Sequence, residues 1–164
     1  MGRKNKRRKE EYKRGFDFNP KKYITPPMSE LKPHRNEIWF ASLPMRYGTN
    51  VQGGFRPVMI ISNNACNKYS STVTIIPMTT KKKKEELPTH LWIENGCLPG
   101  MKPSMFLADQ VTTISKTDLR FCVGAITEPK QISMIEEAVK AQLNFCDALS
   151  DALCVDNRKE GAST

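Results

Sequence analysis

The sequence predicts a mainly β protein: a small SH3-like or barrel-like antiparallel sheet followed by one long C-terminal helix. Three observations carry that prediction. From Glu37 onward, short runs rich in β-branched and aromatic residues recur at spacings of roughly 8 to 20 residues, separated by Gly, Pro, Asn and Ser. Connections this short favour antiparallel neighbours over strand–helix–strand crossovers. After the last run the hydrophobic period changes from two to steps of three and four.

Seven runs have strand length: Glu37 to Leu43 (EIWFASL), Pro57 to Asn63 (PVMIISN), Thr72 to Met78 (TVTIIPM), His90 to Glu94 (HLWIE), Ser104 to Ala108 (SMFLA), Gln110 to Ser115 (QVTTIS) and Cys122 to Ile126 (CVGAI). Seven short strands are enough to curl a sheet on itself. Between Thr127 and about Leu153, Ile132, Ile135, Val139, Leu143 and Cys146 mark one face of a helix, a stripe expected in the core. Pro129 suits a first helical turn, while Ser133 to Glu136 also fits a capping box, and the pattern leaves both starts open. Trp39 and Trp92 are expected to pack in the core or an interface.

Charge divides the chain. Of the formal +9, residues 1 to 35 hold 12 Lys or Arg and 4 Asp or Glu, whereas residues 36 to 164 hold 14 and 13, a net of +1. A pI argument for a basic face on the body therefore fails. Residues 1–33 read as a basic, mobile arm, 34–154 as the folded domain and 155–164 as a polar tail. The arm is expected to be either a solubilising tail or an RNA- or ribosome-contacting segment. No apolar stretch or small-residue cleavage site follows its basic start, so it is not expected to be a signal peptide. The longest apolar runs fall well below the roughly 20 residues of a membrane span, and no membrane role is expected.

Cysteines stand at 66, 97, 122, 146 and 154, with no Cys-x-x-Cys pair, and His34 and His90 are the two imidazoles. Neither a zinc site nor a disulfide framework follows from that set. Reduced thiols in a cytoplasmic protein, without metal or cofactor, are expected. The body lacks Gly-x-Ser-x-Gly, a Walker loop and a dinucleotide fingerprint, and its strand-borne His90 is a weak basis for a hydrolase triad.

What remains is the long connection Pro44 to Phe55 (PMRYGTNVQGGF), which leads into Arg56. Loops of this length between short strands are more often functional than structural. Gly48, Gly53 and Gly54 allow hinge freedom and close backbone approach to a ligand. Tyr47 supplies a stacking ring, Asn50 and Gln52 supply amides able to read base edges, and Arg56 supplies a planar fork for phosphate.

Five blocks in order then carry a resemblance: Arg35 to Leu43 (RNEIWFASL), Gln52 to Asn63 (QGGFRPVMIISN), Asn67 to Val73 (NKYSSTV), Leu87 to His90 (LPTH) and Asp109 to Ile114 (DQVTTI). Together they resemble the successive signatures of MazF/PemK-type toxins, the endoribonuclease halves of bacterial type II toxin–antitoxin pairs. The resemblance runs from about Arg35 to Phe145. It implies a small barrel-like sheet with a C-terminal helix, a homodimer, a small acidic antitoxin as partner, and metal-independent cutting of single-stranded mRNA. By position it implies that Arg56 and Thr79 are catalytic, with Thr80 the neighbouring alternative hydroxyl. It also implies that Gln110 lies near the RNA and that the loop from Met45 to Gly54 meets RNA and antitoxin.

Those roles agree with elementary chemistry. Without a metal, the ribose 2′-OH attacks the adjacent phosphate, leaving a 2′,3′-cyclic phosphate and a 5′-OH. The protein must orient that hydroxyl, neutralise charge on phosphate oxygens and help the 5′-oxygen leave. Arg56 suits the charge and Thr79 the hydrogen bond, but a guanidinium with pKa above about 12 is a poor proton acceptor. Lys81 to Lys84 form either a solvated hairpin tip, offset by Glu85 and Glu86, or a phosphate clamp. In the clamp reading Lys81 and Lys82 bind RNA beside Thr80. His90 is expected to be a strand residue with a satisfied imidazole. Two other classes remain: a non-catalytic toxin on the same scaffold that binds DNA gyrase, and an RNA- or ribosome-binding regulator.

Overall fold

The computed structural model describes residues 31–144, apart from Lys83, Asn95 and Pro99. The predicted arm up to residue 30, the tail and the predicted helix beyond Asn144 lie outside the described residues. Within them are seven strands: β1 (Glu37–Leu43), β2 (Gly54–Ile60), β3 (Thr72–Thr79), β4 (His90–Ile93), β5 (Ser104–Leu107), β6 (Thr112–Ser115) and β7 (Leu119–Ala125). A short helix α1 (Asn64–Tyr69) joins β2 to β3, and α2 (Pro129–Leu143) follows β7. The pairings are all antiparallel, in the order β4-β5-β3-β2-β1-β7, with β6 also on β3.

Adjacent residues along the central strands point to opposite faces and enter two separate cores. Trp39, Val58 and Ile75 join one cluster with Val73, Ile114 and Leu119, which the sheet builds from strand residues together with Leu31. Ile38, Met59 and Ile76 join the other, with Met78, Phe106 and Ile126, and Ile135 of α2 covers it. Both faces are therefore apolar, which is why Pro57 to Ile61 and Thr72 to Met78 read as near-continuous apolar runs. The folded unit reaches back to Leu31, which is 6% exposed, inside the segment the sequence assigns to the arm.

Several boundaries differ from the prediction. β2 spans Gly54–Ile60 instead of starting at Pro57, because Phe55 and Arg56 pair with Ser42 and Ala41 of β1. It stops at Ile60, short of the predicted end at Asn63, which is instead the N-cap of α1 and accepts the Cys66 amide at 2.8 Å. Asn67 of α1 is buried, donating to the Ser62 carbonyl at 3.0 Å and accepting from the Ser62 hydroxyl at 2.6 Å. α2 starts at Pro129, without a side-chain cap, and Asn144 closes it in the left-handed region. Of the predicted stripe, Ile135 is buried and Ile132 and Val139 pack against it, whereas Leu143 is 46% exposed.

Candidate active site

The site begins where β2 and β3 part. Their ladder runs from Ile60 opposite Ile75 to Val58 opposite Pro77 and then stops. Beyond that point β2 keeps its partner β1, with Arg56 opposite Ala41, while β3 turns its last residues to β5, with Thr79 opposite Met105. Counted two residues past the end of that ladder, the register makes Arg56 level with Thr79.

Arg56 is held from below by its own loop. Its Nε donates to the Gly53 carbonyl at 2.8 Å, one terminal nitrogen donates to the Gln52 side-chain oxygen and the other to the same Gly53 carbonyl. Gly53 is required there by close approach. A Cβ would lie 2.7 Å from the Pro44 carbonyl and 3.0 Å from the Met45 Cα, both backbone atoms. Gly54, with φ +77°, supplies the left-handed turn into β2. The Gln52 amide donates to Gln110 Oε1 at 2.8 Å, and Gln110 Nε2 donates to the Asn50 carbonyl at 3.3 Å. Asn50 therefore contributes its carbonyl here, which also accepts from the Gln52 side chain at 3.3 Å.

At the loop tip Thr49 Oγ1 donates to the Arg46 carbonyl at 2.8 Å and accepts from the Val51 amide at 3.3 Å. Tyr47 is 87% exposed, and Met45, Val51 and Phe55 stand partly in solvent beside it. On the opposite side Thr79 is half-buried and its Oγ1 accepts from the Lys81 amide at 3.2 Å, whereas Thr80 is exposed. Lys82 is turned aside: its ammonium lies 2.9 Å from Glu85, 3.3 Å from Glu94 and 5.2 Å from the centre of the Trp92 ring. The Glu85 carboxylate foremost holds the Lys82 ammonium above its ordinary pKa, against an opposing desolvation, and Glu94 adds to the rise.

The structure thus brings Asn50, Gln52, Arg56 and Gln110 into one hydrogen-bonded network, with Gly54 at its turn, while Thr79 stands on β3, level with Arg56 in the register. Tyr47, Thr80 and Lys81 lie on the exposed rim. Sequence reasoning missed the Gly53 carbonyl as the anchor of Arg56, since main-chain acceptors have no sequence signature beyond the glycine itself. His90 is nearly buried; its Nδ1 lies 2.8 Å from the Lys84 carbonyl, and its Nε2 is 3.3 Å from Asp109 without hydrogen-bond alignment. The imidazole is therefore satisfied on one side. Trp39 is core, its indole N–H donating to Glu37 at 2.8 Å. Among the described residues, no group of three or more His, Cys, Asp or Glu could hold a metal ion, and no helix is long and apolar enough to cross a membrane.

Fold and site together define a small antiparallel-sheet protein, closed by a C-terminal helix, whose glycine loop holds an arginine by its own oxygens. Residues 34–143 match the family of PemK-like, MazF-like toxins of type II toxin–antitoxin systems, and the chain belongs to that family. It is 33% identical over 111 residues to the endoribonuclease MazF of Staphylococcus saprophyticus, covering 68% of this chain and 91% of that one. With the endoribonuclease MazF of Staphylococcus epidermidis it shares 36% identity over 100 residues, 61% of this chain and 82% of the other. Among solved structures, a mycobacterial endoribonuclease in complex with its cognate antitoxin superposes with a TM-score of 0.54 at 25% identity, over 70% of this chain and 98% of that one. MazF from Deinococcus radiodurans gives 0.59 at 17% identity, over 71% and 100%, a likeness of fold.

Proposed function

We propose that this protein is the endoribonuclease of a type II toxin–antitoxin pair, cutting single-stranded mRNA at short sequence motifs and so stopping translation. The observation that supports this reading is the β2–β3 register, which ends at Val58 opposite Pro77 and, counted two residues on, makes Arg56 level with Thr79. A scissile phosphate between them meets a preoriented cation on one side and a hydroxyl on the other. The ribose 2′-OH attacks phosphorus, the bond to the 5′-oxygen breaks, and that oxygen leaves protonated as a 5′-OH beside a 2′,3′-cyclic phosphate. Arg56 stabilises the charge that gathers on the phosphate oxygens. Thr79 hydrogen-bonds the phosphate or the attacking hydroxyl.

In this reading the surrounding side chains bind the flanking nucleotides. Tyr47 offers its ring for stacking, Asn50 and Gln52 their amides, Gly54 a close backbone approach, and Thr80, Lys81 and Lys82 contact the backbone past Thr79. Gln110 lies next to the RNA path. A phosphate is a charged acceptor, so it competes well with the neutral Gly53 carbonyl and Gln52 amide for Arg56. Neither metal nor cofactor takes part. The substrate is cytoplasmic mRNA, a small acidic antitoxin occupies the loop, and two copies form the active dimer. For the dimer, Phe55, half exposed and stacked on Phe40 at 5.1 Å between centroids, supplies an aromatic surface backed by buried Phe121, 4.9 Å from Phe40.

The test is to incubate purified protein with a long RNA in EDTA and map the new 5′ ends. Sequence-restricted cuts that disappear in Arg56→Ala support the nuclease. Intact RNA with inhibited gyrase activity supports the non-catalytic toxin, and tight RNA binding without cuts supports the regulator.

A further inference from the structure

Gln110 sits in the 3-10 turn Ala108–Gln110 between β5 and β6, 58 positions along the chain from the loop residue it binds. Its primary amide uses both ends on the loop backbone: Oε1 accepts from the Gln52 N–H at 2.8 Å, and Nε2 donates to the Asn50 carbonyl at 3.3 Å. A free base-reading amide would present those groups to solvent. Here they cross-link the loop to the turn between β5 and β6.

The link does not end at the loop. The side chain of Gln52, the residue whose amide Gln110 holds, accepts from the Arg56 guanidinium, and the next residue, Gly53, supplies the carbonyl that takes Arg56 Nε at 2.8 Å. Within the loop tip itself the bonds are local, through Thr49 and from the Gln52 side chain to the Asn50 carbonyl, and Gly48, Gly53 and Gly54 lower its stiffness. A loop built in this way needs an external anchor if it is to hold a guanidinium plane in one orientation.

We infer that Gln110 is a positioning residue for cleavage: by clamping the Asn50–Gln52 backbone it fixes the loop oxygens that orient Arg56 before RNA arrives. The inference rests on the reading of Arg56 as the catalytic cation. It differs from a direct RNA interaction by Gln110 in where the effect appears. Removing a base-reading group weakens binding and alters the cut motif. Removing an anchor lets the guanidinium wander, which slows the chemical step at saturating RNA.

The experiment is a double-mutant cycle of Gln110→Met, which keeps the side-chain volume and removes both hydrogen bonds, with Arg56→Lys, which keeps charge and removes the fork. Single-turnover rates are read on an oligonucleotide spanning a mapped cut. Gln110→Met is expected to slow cleavage roughly 10- to 100-fold with half-saturation within about twofold of the parent. The double variant is expected to be no slower than Arg56→Lys alone. Additive losses, or a loss confined to half-saturation, overturn the inference.

Amide exchange gives a readout independent of activity: the Gln52 amide loses its protection in Gln110→Met and keeps it in Gln110→Glu, which retains the acceptor and recovers most of the rate. A Gln52 amide equally protected in Gln110→Met overturns the clamp, as does a Glu variant as slow and as unprotected as the Met variant. If Arg56→Lys cleaves at the parental rate, the active-site reading fails, and the exchange result still decides whether Gln110 anchors the loop.

Discussion

Arg56 and Thr79 stand level in the register of two strands that part just before them, two residues past the last paired positions, Val58 and Pro77. The relationship is set by register: the paired stretch aligns the two residues, and beyond it β2 keeps to β1 while β3 turns to β5. A shift of one residue in the β2–β3 pairing would turn one side chain to the opposite face and destroy the site.

Of the two adjacent hydroxyls, Thr79 is the one level with Arg56 in that register. Thr79→Val, which keeps the branched shape and removes the hydroxyl, is expected to lower the cleavage rate roughly 100-fold or more, the scale of losing one preorganised donor. Thr80→Val is expected to change it by less than about threefold, since Thr80 is exposed and lies beyond the strand end. Single-turnover rates of the two variants check this, and the reverse order would move the catalytic hydroxyl to Thr80.

Gly53→Ala tests the loop from its other end. The added methyl would meet the Pro44 carbonyl at 2.7 Å and Met45 Cα at 3.0 Å, so backbone must move, taking the Gly53 carbonyl away from Arg56. A rate loss of roughly 10-fold or more is expected. The melting temperature should change little, because the displaced segment is exposed loop. A variant that melts much lower would place the strain in the sheet instead.

The lysine run after Thr79 is open to a salt titration. Replacing Lys81, Lys82, Lys83 and Lys84 by Gln is expected to flatten the dependence of log RNA affinity on log salt by about 0.7 for each phosphate that a lysine no longer neutralises. Lys82→Gln alone should account for the smallest share, since Glu85 and Glu94 already oppose its charge. An unchanged slope in the fourfold variant would leave the run as a solvated hairpin tip.

How far all this was legible in the sequence follows from which forces act locally. The central strands were readable because Val58 to Ile60 and Val73 to Ile76 carry β-branched and apolar side chains whatever their partners. α1 was not, because six residues are too few for a helical period and its signal is the single cap Asn63. Arg56 and the glycine loop stood out as residue types. The grip of Gln110 on Gln52 and of Gly53 on Arg56 did not, because the first joins distant segments and the second uses a carbonyl that every residue carries.

The described thiols give a pH test with a definite sign. Burial pushes Cys97 up to about 11, and burial, then the nearby Glu37 carboxylate, does the same to Cys122. A raised thiol pKa keeps the unreactive protonated form at neutral pH, so at pH 8 only ~0.1% of either is thiolate. Alkylation followed by mass spectrometry should modify exposed Cys66 first. Labelling of Cys97 and Cys122 in the folded protein should climb only as pH rises towards 11. Rapid modification of either at pH 7 would contradict their burial.

The central claim is that Arg56 drives attack by the substrate's own 2′-OH. It is tested most directly by single-turnover cleavage of an oligonucleotide carrying one mapped cut, comparing the parent protein with Arg56→Ala and resolving the product termini. The predicted result is a 2′,3′-cyclic phosphate and a 5′-OH from the parent, with Arg56→Ala slower by roughly 100-fold or more at unchanged folding. Cleavage by Arg56→Ala within a few-fold of the parent, or equal cutting of an oligonucleotide that is 2′-deoxy at the scissile nucleotide, would contradict it.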